Sequence, residues 1–344
     1  MKFSVSLLAL TLAVQAKKEQ TPQKHPIRED IVEEIKLKAT SWTPKAVEDN
    51  HMRHHSAEDL YHSAGNLGTT KSSLGADVFK TVTHGAYDMF RSITSTVLGK
   101  KAEAFKVKEE SPDSSYHHDP TLPREFSWRK EMPECLGMIE DQGACGSCWA
   151  FTSAGLLSDR LCIHSKGATN VRLSPQEMVN CNYENYGCMG GYLLTSIDYL
   201  MAEGAVSNTC VPYIENQAVC SFECSDGTRN GYDKYYCQPG SLELAVNHNE
   251  IKRDLFNNGP MLMGLQIMED FYNYESGIYK YTTGENVGGH AMKLVGYGED
   301  PVEGLYWEMQ NQWAEDFGEN GFIKIKHGEI GIDAIAVSCM PDWQ

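Results

Sequence analysis

The segment DQGACGSCWAF, Asp141–Phe151, sets two cysteines three positions apart among glycine and serine and runs on into Trp-Ala-Phe. Three chemistries share that spacing. A zinc knuckle would use Cys145 and Cys148, but it needs a second close pair of Cys or His, and no other pair has a convincing spacing. A dithiol redox centre also uses Cys-x-x-Cys at a helix start, but its usual βαβ surroundings are absent. The third reading makes Cys148 a nucleophile at the head of a helix over Trp149–Ile163. There the helix dipole and a nearby imidazolium hold it as thiolate, while Cys145 pairs elsewhere. That reading demands a histidine and a group to orient it further along the chain.

Both are present. Cys145-Gly146-Ser147-Cys148-Trp149 satisfies the signature C-G-[SA]-C-[WY], which in one enzyme family is followed by His and Asn about 130–150 residues downstream. His290, in GGHAMKLVGYG, lies inside that window, and Asn311, in NQWAEDFGENGF, lies a little past it. His290 is preceded by Gly288-Gly289 and followed by a strand-like apolar run. Gln142, just before the cysteine pair, carries an amide suited to an oxyanion hole with the Cys148 N–H. GCMGG at Gly187–Gly191 offers backbone room for an extended peptide at Gly190 and Gly191.

On these motifs the chain resembles the papain family of cysteine proteases, and within it the cathepsin B subgroup. The resemblance is strong from Leu122 to the C-terminus. It rests further on LSDR at Leu157–Arg160, on Cys162-Ile163-His164, and on EDFYNYESGIYKYTTGENVGGHA at Glu269–Ala291. It implies Cys148 as nucleophile, His290 as acid and base, Asn311 as the side chain orienting the imidazole, Trp313 as its shield from water, and Gln142 as oxyanion donor. It implies an α+β, two-lobe fold, one lobe helical and the other a barrel-like sheet, with the cleft between them. It also implies the pairs Cys135–Cys162, Cys145–Cys188, Cys181–Cys220 and Cys210–Cys224, which leaves Cys237 with Cys339. Protein and peptide substrates, the chain's own propeptide as inhibitor, cystatin-like inhibitors and a monomeric state come with the resemblance. No cofactor or metal does.

The chain departs from the family in three places. The usual Asn-Ser-Trp is Asn311-Gln312-Trp313, and Gln312 is expected to point away from the imidazole. The occluding loop of the cathepsin B subgroup, with its paired histidines, is missing between Cys210 and Cys220, so the cleft is expected to be open at its leaving-group end. Ile335 stands where the subgroup places an acidic residue at the base of the pocket for the side chain two before the scissile bond. With Leu193 and Ala291 it makes that pocket apolar. Plain core packing is the competing use of Leu193 and Ile335.

The remaining sequence frames these motifs. All 11 cysteines follow residue 134. In an oxidising compartment an odd count leaves one thiol over, which agrees with a reactive Cys148. Residues 1–16, MKFSVSLLALTLAVQA, read as a secretory signal peptide. They are too short for a membrane anchor, which needs about twenty apolar residues. A net charge of −17 argues against a nucleic-acid backbone as partner. Residues 17–121 lack cysteine and read as an inhibitory propeptide, leaving 122–344 as the peptidase domain. Asp30–Ala39 has helical periodicity with Ile31, Ile35 and Leu37 near one face, and Ala76–Leu98 is a second such stretch. His51, His54, His55, His117 and His118 sit in polar sequence and read as a solvated face or linker. Ser174-Pro175-Gln176-Glu177 starts a helix, Tyr192–Ala202 and Ser241–Asn257 read as further helices, and strand-like runs follow. The destination is the secretory pathway, ending in a lysosome or digestive vacuole or outside the cell. The main alternative function is a catalytically inactive papain-fold secreted binding protein.

Overall fold

The computed structural model describes residues 24–65, 119–229, 231–333 and 335–342. The signal-peptide residues, the Ala76–Leu98 stretch and the His117–His118 pair lie outside them. Helices come first and strands later, in two lobes. The helices, in chain order, are α1 (Glu29–Lys38), α2 (Ala57–Ser63), α3 (Trp128–Glu131), α4 (Cys148–His164), α5 (Pro175–Cys181), α6 (Leu193–Ala202) and α7 (His248–Asn258).

In the helical lobe α4 is buried nearly all round, because it runs through the centre of the lobe. Trp149, Leu156, Leu157 and Leu161 pack with Met178, Val179, Ile197 and Leu200. Helix α5 begins as its sequence dictates. Ser174 Oγ accepts from the Glu177 N–H, and Pro175 takes the first position, where no N–H is needed. The Glu177 carboxylate does not close a capping box; it holds Lys234 and Tyr199 instead.

The second lobe is a twisted sheet. Its strands are β1 (Trp42–Pro44), β4 (Glu243–Ala245), β5 (Met261–Met268), β6 (Tyr274–Tyr279), β7 (Asn286–Asp300), β8 (Gly304–Gln310), β9 (Phe322–Lys326) and β10 (Ala336–Ser338). They lie in the order β1-β6-β9-β8-β7-β5-β10-β4, and β2 (Phe126–Ser127) adds to β7. A separate pair joins β3 (Tyr236–Cys237) to β11 (Pro341–Asp342). Leu265, Ile267, Phe271, Leu294, Trp307 and Ile323 form the core of this lobe. The N-terminal segment enters the same core through Ile31, Ile35 and Trp42, and β1 pairs antiparallel with the sheet edge at β6.

Three local expectations change. Leu37 is exposed, and Val32 takes its place in the buried face of α1. Six residues on from Ile31, at about 100° each, Leu37 points to the far side of the helix. The helix expected from Ser241 starts at His248 instead: Asn247 caps it by accepting from the Asn249 and Glu250 N–H groups, and Glu243–Ala245 pairs with β10. The strand-like run YWEMQNQW, Tyr306–Trp313, is strand only as far as Gln310, which frees Asn311–Trp313 to turn over the cleft.

Candidate active site

Helix α4 starts at Cys148, with Ser147 as its N-cap, so the thiol sits on the first residue of a 17-residue helix. The preceding loop is held from two sides. Cys145 is bonded to Cys188, and the Gly146 N–H donates to the Cys188 carbonyl at 2.8 Å. Tyr213 braces it from above, its hydroxyl 2.8 Å from the Gln142 carbonyl and 2.7 Å from Ser147 Oγ. Glu215 accepts from the Ala144 N–H at 2.7 Å, across a Gly143 whose φ is +57°. A side chain on Gly143 would collide with that carboxylate.

His290 comes from the middle of β7, in the facing lobe. Its Nε2 donates to Asn311 Oδ1 at 2.9 Å, and the same oxygen accepts from the Gln312 N–H at 2.9 Å. Trp313 stacks on the imidazole at 4.7 Å and is itself stacked on Tyr272 at 4.9 Å. This aromatic shell keeps water from the His290–Asn311 bond. The Ala291 N–H, on the strand carrying the imidazole, favours the Cys148 thiolate. Gln142 is fully buried and donates from Nε2 to the Cys145 carbonyl at 2.8 Å and to the Ser63 carbonyl at 2.9 Å. The structure thus gathers Cys148, His290, Asn311, Gln142 and Trp313 around one point.

That point is covered by the N-terminal segment. Gly65 lies directly over the thiol, so close that a Cβ on it would be 2.7 Å from Cys148 Sγ. A Cβ on Gly288 would meet Ala64 at 3.7 Å, so the cover reaches the imidazole side as well. The cover excludes water, and the charged forms of both groups suffer. Burial pushes the Cys148 thiol up to about 11, against the backbone N–H groups that favour thiolate. Burial pulls His290 down to about 4, against its hydrogen bond to Asn311. While the segment covers the site, burial disfavours the charged form of each group.

Gln312 departs from its expected orientation. It does not point away: its Nε2 donates to the Ala291 carbonyl at 2.9 Å and lies 3.4 Å from His290 Nε2. The residue is buried, so its amide must find a partner inside the fold, and the β7 carbonyl is the one in reach.

The remaining candidates line the cleft. Gly190 has φ +108°, and Gly191 lies on the Trp149 indole, where a Cβ would be 2.7 Å from the ring. Ala291 is paired with Gly264 between β7 and β5, and Ala336 is paired with Met263. One step further in that register, Ile335 falls beside the Gly264–Ala291 pair. Leu193 and Ile335 are both half-buried against the helical-lobe core. The disulfides are Cys135–Cys162, Cys145–Cys188, Cys181–Cys220, Cys210–Cys224 and Cys237–Cys339, and Cys148 is the free cysteine. Among the described residues no cluster of His, Cys, Asp or Glu could hold a metal, and no helix is long and apolar enough to cross a membrane.

Some of the site had no sequence signal. Tyr213 and Glu215 act from a disulfide-tied segment remote in sequence. Asp159, buried beneath the cleft, accepts from Arg172 and Lys293, which no local spacing connects. His51 was read as part of a solvated face, but its Nε2 donates to the Trp313 carbonyl at 3.0 Å.

The sequence pattern described as papain family cysteine protease matches residues 122–340. The chain belongs to that family and is a cysteine-type protease. Its relatives include cathepsin B-like CP2 of Giardia intestinalis, 33% identical over 233 residues, covering 64% of this chain and 75% of the relative. A cathepsin B-like cysteine proteinase of Schistosoma japonicum is 32% identical over 290 residues, covering 73% and 84%. Among solved structures, proCathepsin B S9 from Trypanosoma congolense has the same fold, with a TM-score of 0.71 at 24% identity over 93% of this chain and all of that one.

Proposed function

We propose that the chain is the zymogen of a cathepsin B-like cysteine endopeptidase, with residues 1–16 as signal peptide, 17–121 as inhibitory propeptide and 122–344 as mature enzyme. The observation that carries this reading is Gly65 over Cys148: an inert segment lies where a scissile bond would lie, and the Ser63 carbonyl occupies the Gln142 amide. Once the segment leaves, water returns and the dipole of α4 favours the thiolate, with the proton on His290. The sulfur attacks the scissile carbonyl carbon, and the oxyanion accepts from the Cys148 N–H and Gln142 Nε2. His290 gives its proton to the leaving amine as the C–N bond breaks, which leaves a thioester. Water then attacks the thioester, His290 takes its proton, and the acid product departs from the restored thiol.

Substrate enters from an open leaving-group end, because the chain between Cys210 and Cys220 is too short to close it. Long chains pass through, so the enzyme acts within chains and not as a carboxydipeptidase. Ala291, Leu193 and Ile335 favour an apolar side chain two before the cut, and Gly190 and Gly191 hold that residue's backbone. Five disulfides suit a lysosome, a digestive vacuole or the outside of the cell. The test is Cys148→Ala in the processed enzyme, with N-terminal sequencing of the active form. Loss of at least about a thousandfold in kcat/KM and a start near Leu122 are expected. Activity retained in Cys148→Ala would refute the nucleophile.

A further inference from the structure

Gln312 touches both members of the strand segment that carries the imidazole. Its backbone N–H donates to Asn311 Oδ1, which fixes the Asn311 amide with its oxygen toward His290. Nε2 of the imidazole must then carry the proton, and Nδ1 is left for the thiol. The Gln312 side chain meets that arrangement with another donor. One of its N–H groups is committed to the Ala291 carbonyl, which stops the amide from turning away, and its nitrogen stays 3.4 Å from His290 Nε2. Donor therefore faces donor, and the mismatch grows when the imidazole gains a positive charge.

We propose that Gln312 is a positioning residue for His290: its backbone N–H, through Asn311, holds the Nε2–H tautomer, while its side-chain amide ties the turn after β8 to β7 and disfavours the imidazolium. It thereby narrows the pH range over which the thiolate–imidazolium pair exists. Glu140 shares a cavity with Asn311 and Gln312, and burial pushes its carboxyl up to about 7. Cys148 is the titratable group facing His290 from α4. Lys293, also on β7, is engaged with Asp159. Asp141 bridges by its backbone to Trp313, and His51 meets the Trp313 carbonyl only while the N-terminal segment is docked. Burial and Asn311 alone set the balance at His290 in the covered state.

This inference rests on the catalytic reading of Cys148 and His290. Its test is the processed enzyme with Gln312→Met, which keeps the length and removes the amide dipole, and Gln312→Glu, which places a carboxylate there. For each, kcat and KM are measured separately against pH on a short uncharged peptide. The alkaline limb is expected to move up by roughly half to one pH unit in Gln312→Met, and further in Gln312→Glu. The change should lie in kcat, with KM within about twofold. If either variant folds poorly, Gln312→Ser and the pH dependence of Cys148 alkylation give the same readout. An unmoved limb, with only thermal stability lowered, would reduce Gln312 to packing and overturn the inference. The two readings fail separately. Full activity in Cys148→Ala sinks the catalytic assignment, whereas an inactive Cys148→Ala with an unmoved Gln312 limb sinks this inference alone.

Discussion

The N-terminal segment meets the rest of the chain through two regions of opposite character. Residues 24–44 dock on the edge of the sheet lobe. Ile31, Val32 and Ile35 are buried, and burial of side chains of this size is worth about 1.5–3 kcal/mol each. Trp42 packs on Tyr279 and Tyr274, with centroids 5.1 and 6.1 Å away, and donates to the Lys280 carbonyl. Arg28 makes a two-point ion pair with Glu269. Residues 50–65 cross the cleft, and Met52, Leu60 and Ala64 also enter the sheet-lobe core. Asn50 donates to the Tyr272 carbonyl, the Tyr272 hydroxyl donates to the Leu60 carbonyl, and a capping box of Ser56 and Asp59 opens α2. The first region buries more apolar side chains, and the second lies over the thiol.

The strongest way to break the division is to weaken the grip without touching the cleft. Trp42→Ala removes a nearly fully buried indole from an aromatic cluster, a change that typically costs about 3–5 kcal/mol. Because the partner rings belong to the peptidase lobe, the loss is expected as weaker docking, by a hundredfold or more at about 1.4 kcal/mol per tenfold. Alkylation of Cys148 in the unprocessed chain at neutral pH measures it. A rate equal to that of the unmodified chain would mean that the cleft region holds on its own.

Gly65→Ala attacks the blocking region alone. The residue has φ +63°, and its Cβ would press on the Cys148 sulfur at 2.7 Å. Left-handed backbone on a residue with a Cβ costs about 1–3 kcal/mol, so the cover should lift while the docked helix stays in place. Alkylation of Cys148 is expected to rise by about tenfold, less than for Trp42→Ala, with the thermal midpoint of the unprocessed chain little changed. An alkylation rate unchanged in Gly65→Ala would show that the cover adapts around the methyl.

The two lobes, the start of α4 and the strand that carries His290 were legible from motif spacing and periodicity, because each is a local pattern. The reading failed where a residue's partner comes from elsewhere. Gln312 faces inward because a β7 carbonyl receives it, and Glu243–Ala245 is a strand because β10 lies beside it. Gln142 pointed to an oxyanion site, but nothing near it announced that Ser63, from the far end of the chain, would occupy its amide. The signature shows the helix start and the imidazole but not the water-excluding cover that Gly65 brings.

Acid should loosen the two regions at different pH values, and His51 gives the smallest and most selective test. His51 is half-buried beside Trp313, and burial lowers its pKa below the ordinary 6.5. A histidine kept neutral by docking stabilises the docked state above its free pKa. That contribution fades as pH falls below about 6.5, because the released form takes up the proton more readily. Glu269 carries the opposite charge and works lower down. Arg28 and its other hydrogen bonds outweigh burial and hold it below the ordinary 4.5. Its contribution is therefore present above about 4.5 and is lost as pH falls further. Release should show a shallow onset below pH 6.5 from the cleft region and a steeper one below 4.5 from the sheet edge. His51→Gln keeps an N–H for the Trp313 carbonyl and removes the titration, so the shallow onset should vanish while the lower one stays. Cys148 alkylation of the unprocessed chain, followed from pH 7 to pH 4, reads both. An onset near pH 6 that survives in His51→Gln would assign it to another group and leave the cleft region without a pH sensor of its own.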